Sequence, residues 1–141
     1  MYIKQLSVFV ENKPGRLAEI TSAIAEKGIN MRALSVTDTK DFGILRVIVD
    51  KPDEAAAVLK SAGLTVSLTN VIAIGIDDKP GAFASAIKVL ADADITVDYI
   101  YAFVPRTPAS AYVILHVGDT EAAIKVLTSN GIEMVTSEKL I

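Results

Sequence analysis

Two short segments of this chain share residue types that can bind a small charged molecule. Asn12-Lys-Pro-Gly15 returns 66 positions later as Asp78-Lys-Pro-Gly81. Proline presets the turn by fixing φ, and glycine lacks a Cβ, so a ligand can approach the backbone closely. The Asn amide both donates and accepts hydrogen bonds, whereas an ionised Asp only accepts and suits an ammonium group. These groups together are those needed to hold a free α-amino acid.

The same residues have a simpler interpretation. An Asn or Asp ahead of a helix is usually an N-cap, which stabilises the helix by about 0.5–2 kcal/mol. The first N–H groups of a helix are also unpaired and carry a partial positive charge, which favours a carboxylate or a phosphate. The local sequence alone favours capping and leaves ligand binding open.

Both segments belong to an internal repeat that covers the chain. Downstream of the loops the offset grows from 66 to 68, which places an insertion of two residues in the Pro-rich stretch 104–108. Alternating apolar residues predict strands, and helical spacing of apolar residues predicts helices. The predicted strands span 6–10, 31–37, 44–49, 64–68, 71–76, 95–104, 111–117 and 132–135, and the predicted helices begin near 17, 52, 83 and 121.

This order is βαββαβ in each half, which predicts an α+β fold of two tandem ferredoxin-like domains. We expect the domains to span 1–69 and 70–141, because the halves meet at Thr69-Asn70 with almost no linker. Each is expected to carry four antiparallel strands with two helices on one face. The short junction also predicts sheets that lie side by side.

The repeated loop in this frame resembles the ACT domain, a small amino-acid-sensing module of metabolic enzymes. The segment Leu6-Ser-Val-Phe-Val-Glu-Asn-Lys-Pro-Gly-Arg-Leu17, followed by Lys27-Gly-Ile-Asn-Met31, is similar to the ACT regions of phosphoglycerate dehydrogenases and of the acetolactate synthase small subunit. The resemblance covers nearly the whole chain as two copies. It implies a ligand at the interface of two domains, held by the first loop of one domain and the start of a second strand.

Carried over by position, the expected ligand-binding residues are Asn12, Pro14, Gly15, Arg16, Leu17, Asn30 and Met31 in the first half and Asp78, Pro80, Gly81, Ala82, Phe83, Thr96 and Val97 in the second half. The second half departs from the motif, because Asp78, Asp94 and Thr96 stand where the first half has Asn, Gly and Asn. We therefore expect the two sites to differ.

Composition excludes several other classes of function. The chain of 141 residues has a net charge of −3 and no cysteine, which argues against a nucleic-acid binder driven by bulk charge, a disulfide framework and a zinc–thiolate site. His116 is the only histidine and lies in a predicted strand, where a packing or surface role is favoured. Tyr99, Tyr101 and Phe103 share a strand face, which favours sheet packing or an oligomer contact. We expect no catalytic residues, no metal and no cofactor.

The sequence thus predicts a non-enzymatic cytoplasmic sensor that binds a free amino acid, forms a homodimer and regulates amino-acid metabolism, with no nucleic-acid or membrane partner. An alternative is a dedicated regulatory subunit of a biosynthetic enzyme such as acetolactate synthase. A small enzyme that uses the same fold and a purely structural oligomer remain open. Arg46 lies alone on a strand and the loops lack a glycine-rich anion cradle, so an acylphosphatase-like activity is disfavoured.

Overall fold

A computed structural model of the chain describes residues 2–38, 41–103 and 110–140. The insertion expected at 104–108 and the centre of the turn 38–43 lie outside these residues. The elements in chain order are β1 (Ile3–Glu11), α1 (Arg16–Glu26), β2 (Met31–Asp38), β3 (Phe42–Val49), α2 (Pro52–Ser61), β4 (Val66–Asp77), α3 (Ala82–Asp92), β5 (Val97–Phe103), β6 (Ser110–Val117), α4 (Thr120–Ser129), β7 (Glu133–Met134) and α5 (Ser137–Leu140).

The chain divides into two compact units. One unit holds Lys4–Thr69, and the other holds Asn70–Leu140 together with Tyr2 and Ile3. The first unit has the strand order β2-β3-β1-β4, and its β1·β3 and β2·β3 pairs are antiparallel. The second has the order β5-β6-β4-β7, again antiparallel throughout. Both are the ferredoxin-like arrangement, so the predicted fold class is confirmed.

Each unit has its own hydrophobic core, in which alternate strand residues face the helices. In the first unit Leu6, Val8 and Val10 share a core with Ile20 and Ile24 of α1. Their period-2 and period-3.6 spacing is what brings them to the buried face of each element. In the second unit the buried core residues are Ile72, Ile74, Ala86, Leu90, Val113, Leu115, Val117, Ala123 and Leu127. These cores hold the two long helices of each unit against one face of its sheet.

The four long helices end in the same way. In each, the residue after the C-cap adopts a left-handed conformation, and the next residue donates its N–H back to the last full turn. After α1, Gly28 has φ 69° and Ile29 N–H bonds to the Ile24 carbonyl at 3.3 Å. After α3, Asp94 has φ 58° and Ile95 N–H bonds to the Leu90 carbonyl at 3.0 Å. This is the Schellman motif.

The structure differs from the predicted elements in two strands and one helix. The predicted strands 64–68 and 71–76 are one strand, β4, because the residues between them include neither glycine nor proline and Thr69 favours extended backbone. The predicted strand 132–135 is reduced to Glu133–Met134. The helix α5 was not predicted, because four residues are too few for a periodic signal. No helix in the part of the chain described is long and apolar enough to cross a bilayer.

Candidate functional site

The two repeated loops have the same backbone geometry. Gly15 has φ 88° and ψ −15°, and Gly81 has φ 88° and ψ −14°. Lys13 N–H donates to the Glu11 carbonyl at 2.8 Å, and Lys79 N–H donates to that of Asp77 at 3.0 Å. The backbone of the loop therefore depends on the residues that the two copies share.

This geometry excludes the capping interpretation. The N-caps of α1 and α3 are Gly15 and Gly81, and neither helix start receives a side-chain capping hydrogen bond. Asn12 and Asp78 lie three residues earlier and are not N-caps. Both glycines have a left-handed φ, and a Cβ at either position would meet nothing within 4 Å. Backbone conformation, rather than lack of space, therefore requires glycine here.

The first turn of α1 presents free amides. Arg16 N–H bonds to the Lys13 carbonyl at 3.3 Å, and Glu19 N–H bonds to that of Gly15 at 2.9 Å. The N–H groups of Leu17 and Ala18 lie between those of Arg16 and Glu19. The residues four positions before them precede the helix, so these two N–H groups have no acceptor within the helix. They form a positively polarised end that suits a carboxylate.

A cavity of about 300 Å³, which we call the loop cavity, lies beside this first loop. Asn12 N–H bonds to the Asp41 carbonyl at 3.2 Å, and the Asn12 Oδ1 atom lies only 3.1 Å from where a Cβ on Gly43 would stand. Glycine at position 43 therefore lets the Asn12 amide lie close against β3. The residues that line the loop cavity are Val10, Glu11, Asn12, Lys13, Pro14, Leu17, Val36 and Gly43.

Only part of the predicted set of residues lies together within the first unit. Asn12, Pro14 and Leu17 line the loop cavity. Asn30 directly precedes β2, and Met31 begins it and pairs with Val49 at the opposite end of β3 from Phe42. Seven residues of strand separate those ends, about 23 Å at about 3.3 Å per residue. One unit cannot bring both groups to one small ligand.

The second unit repeats this separation. Asp78, Pro80, Gly81, Ala82 and Phe83 follow the end of β4, and the Phe83 side chain is 44% exposed. Thr96 and Val97 stand at the other end of the sheet, where the Thr96 carbonyl accepts the N–H of Gly118 and Val97 pairs with Val117.

Sequence reasoning missed several residues of the loop cavity. Val36 and Gly43 come from β2 and β3, and no motif marked them. The Glu11 carboxylate is 3.0 Å from Lys13 Nζ, and this hydrogen bond and charge, with Arg16 nearby, lower the pKa of Glu11. The pairing of β1 with β3 is the signal that could have located Gly43, because Glu11 pairs with Phe42, one residue from Gly43.

His116 has structural partners on the second sheet. Its Nδ1 atom is 2.8 Å from Asp98 Oδ2, and its ring stacks on Tyr99 with centroids 5.0 Å apart. Phe103 packs edge-on against Tyr112. Arg46 Nη1 donates to Thr37 Oγ1 at 3.3 Å. In the described residues no three His, Cys, Asp or Glu side chains cluster in a way that could hold a metal ion.

Fold and loops together define a class of protein: a pair of ferredoxin-like modules in which the same strand-to-helix loop is built twice. The family model of the ACT domain pair matches residues 1–141. The chain therefore belongs to the ACT domain pair family, and the resemblance found in the sequence is confirmed.

The chain is similar to a curated protein and to a protein of known structure. The acetolactate synthase small subunit of Mycolicibacterium smegmatis is 31% identical over 91 residues, which are 62% of this chain. This chain spans about half of that relative, since the match covers 54% of its length. A Bacteroides thetaiotaomicron protein of known structure is 36% identical, with a TM-score of 0.93 over 99% of this chain and 96% of that one.

The regulatory subunit of aspartate kinase from Thermus thermophilus shares the fold. It is 19% identical to this chain, with a TM-score of 0.65 over 89% of this chain and 91% of its own.

Proposed function

We propose that this chain is a non-enzymatic sensor that binds a free amino acid through its ACT loops and thereby regulates amino-acid metabolism. Residues 1–69 and 70–141 are its two ACT domains. The observation that carries the proposal is the loop cavity, which is lined by Asn12, by Leu17 in the first turn of α1 and by the apolar Val36 of β2. An α-amino acid offers a carboxylate for the amides, polar atoms for Asn12 and a side chain for the apolar wall.

A complete site in this proposal draws on two domains. The loop residues and Asn30-Met31 are about 23 Å apart within one unit, at about 3.3 Å per residue of strand. A ligand that touches both sets must therefore take one set from each of two domains, whether in one chain or in a homodimer. Ligand then favours one placement of the two domains, by as much as its affinities for the two placements differ.

The two loops are not equivalent ligand sites in this proposal. Asp78 replaces the amide of Asn12 with a carboxylate, which accepts hydrogen bonds but donates none when it is ionised. Because the backbone is the same in both loops, this difference acts through side-chain chemistry alone. We expect the Asn12 loop to accept either charged end of the ligand, because its amide both donates and accepts hydrogen bonds, and the Asp78 loop to prefer the ammonium.

Two pairs of variants test the loop cavity. Asn12→Ala should weaken amino-acid binding more than Arg46→Ala, because Asn12 lines the cavity and Arg46 contacts Thr37 on β2 instead. Gly43→Ala should also weaken binding, since its Cβ meets Asn12 Oδ1 at 3.1 Å, whereas a Cβ at Gly118 meets nothing. Isothermal titration calorimetry measures each Kd. Equal affinities within both pairs would contradict the proposal.

The alternative is a dedicated regulatory subunit, favoured by the similarity to the acetolactate synthase small subunit. It predicts that purified chain added to the catalytic subunit of acetolactate synthase changes its rate, and that an amino acid modulates this change. A chain that binds an amino acid but leaves that enzyme unaffected would support the sensor and exclude this particular partner.

A further inference from the structure

A second cavity, which we call the edge cavity, lies on the other side of α1. It has a volume of about 330 Å³ and is bounded by Phe9, Glu11, Arg16, Phe42 and the segment 62–65. Pockets for small molecules begin at about 300 Å³, so an amino-acid-sized molecule can fit. It shares Val10 and Glu11 with the loop cavity but opens toward α2 rather than toward β2.

The fold opens this cavity because β1 and β4 end at different points. Phe9 N–H bonds to the Thr65 carbonyl at 3.1 Å, and β1 then continues to Glu11 while β4 begins only at Val66. The Schellman motif at the end of α2 turns the chain away, with Leu64 N–H bonded to the Leu59 carbonyl at 3.1 Å. The last residues of β1 therefore face open space on this side.

Two phenylalanines are among the residues that line the cavity. Glu11 pairs with Phe42, so Phe9 and Phe42 are diagonal neighbours on one sheet face, about 7–8 Å apart at Cα. They are 50% and 51% exposed and belong to neither core. Two half-exposed aromatic rings around a cavity suit a flat apolar group.

Opposite charges stand at the mouth. The Glu11 carboxylate is held ionised by Lys13, 3.0 Å away, and Arg16 Nη1 is 3.2 Å from Glu19 Oε2. All four side chains are between 42% and 68% exposed, so both ion pairs are weak and can exchange partners. A free carboxylate can bond to Arg16, and a free ammonium can bond to Glu11.

The second unit shows that the fold does not require these groups. Gly75 corresponds to Phe9 and Ala82 to Arg16 at the repeat offset of 66. Ser110 pairs with Asp77 as Phe42 pairs with Glu11. The Glu133 carboxylate lies over Gly75, with Oε2 2.7 Å from where a Cβ would stand. The rings and the arginine are thus specific to the first unit, although the loop backbone is the same in both.

We propose that the edge cavity is a second ligand site, which binds a zwitterionic amino acid with an aromatic or large apolar side chain. The side chain lies between Phe9 and Phe42, the carboxylate contacts Arg16, and the ammonium replaces Lys13 at Glu11. The site does not depend on ligand binding in the loop cavity.

The test is NMR titration of the isotope-labelled full chain with L-phenylalanine, glycine and 2-phenylethylamine. L-Phenylalanine should shift the amides of 16–23 and 62–65 and bind at least 10-fold more tightly than glycine, which lacks the ring. 2-Phenylethylamine lacks the carboxylate and should also bind at least 10-fold more weakly. Arg16→Ala should abolish the difference between L-phenylalanine and 2-phenylethylamine, and Phe42→Ser should weaken both. The amide spectra also report that each variant is folded.

Both substitutions introduce the residue that the second unit carries at that position, so the fold should tolerate them. Lys88→Ala breaks only a surface pair with Asp92 on α3 and serves as the control. Shifts confined to Asn12, Val36 and Gly43 would overturn the edge site while supporting the loop cavity. Unchanged discrimination in Arg16→Ala would overturn the assigned carboxylate contact and with it the proposal.

Discussion

The helix end at Asp94 should be a measurable weak point of the second unit. Asp94 follows the C-cap of α3 and has φ 58°, whereas Gly28 occupies the same position after α1 and has φ 69°. A left-handed conformation costs an L-residue about 1–2 kcal/mol. A carboxylate at the negative end of a helix dipole costs a further 0.3–1 kcal/mol or so. Glycine at this position removes both penalties, but its extra freedom in the unfolded chain lowers the free energy of unfolding again by about 0.5–1 kcal/mol.

Asp94→Gly should therefore raise the free energy of unfolding by about 1 kcal/mol. This is the strain and charge penalty that glycine removes, less the stability lost through its freedom in the unfolded chain. For a chain of this size that is a Tm increase of about 3–5 °C. Asp94→Asn removes only the charge and should give about 0.3–1 kcal/mol. Gly28→Asp should be destabilising by about 1 kcal/mol, since it recreates the same strain.

Urea denaturation followed by circular dichroism measures all three variants. Because the Asp94 side chain is exposed, no packing change is expected to mask the effect. An Asp94→Gly variant no more stable than the parent chain would refute the argument from backbone strain, because relief of the charge alone is offset by the freedom of glycine in the unfolded chain. A gain in Asp94→Asn that persists in 1 M salt would refute the argument from charge, because the Debye length there is about 3 Å.

Three further predictions concern the first unit. Leu59→Ala should lower the free energy of unfolding by about 2–5 kcal/mol in urea denaturation, because this side chain is fully buried, and Ser61→Ala on the same helix should change it little. Gly15→Ala should be destabilising by about 1–2 kcal/mol from its left-handed φ of 88° alone, whereas Gly118→Ala should be near neutral. Glu11→Gln should lower Tm at pH 7, because the ionised Glu11 carboxylate stabilises the fold when its folded pKa lies below the ordinary 4.5. The difference in Tm from the parent chain should vanish as the pH falls through that lowered pKa.

The fold could be predicted from the sequence because each half repeats strong local signals. Alternation in β1 and the helical spacing of Ile20 and Ile24 in α1 are enough to identify the core of the first unit. The signal is weaker where an element is short or continuous: β7 has two residues, and β4 runs through the junction at Thr69-Asn70. Short elements depend on tertiary partners, such as the Val135 N–H bond to the Ala73 carbonyl, which no local pattern encodes.

The candidate site was only partly accessible from the sequence. The motif located the loop, but its residue types suggested a cap at Asn12, and the structure gives that position to Gly15. The φ of Gly15 could not be inferred from the residue type, because the glycine also suited a close approach by ligand. Phe9 and Phe42 are far apart in the chain and adjacent only through the pairing of β1 with β3.

The central claim is that the chain binds a free amino acid through its ACT loops, and calorimetric titration of the full chain with each of the twenty amino acids tests it most directly. The account predicts that at least one of them binds with a Kd in the millimolar range or tighter. It further predicts that Asn12→Ala weakens this binding and Arg46→Ala does not. No heat of binding from any of the twenty at millimolar concentration would contradict the account.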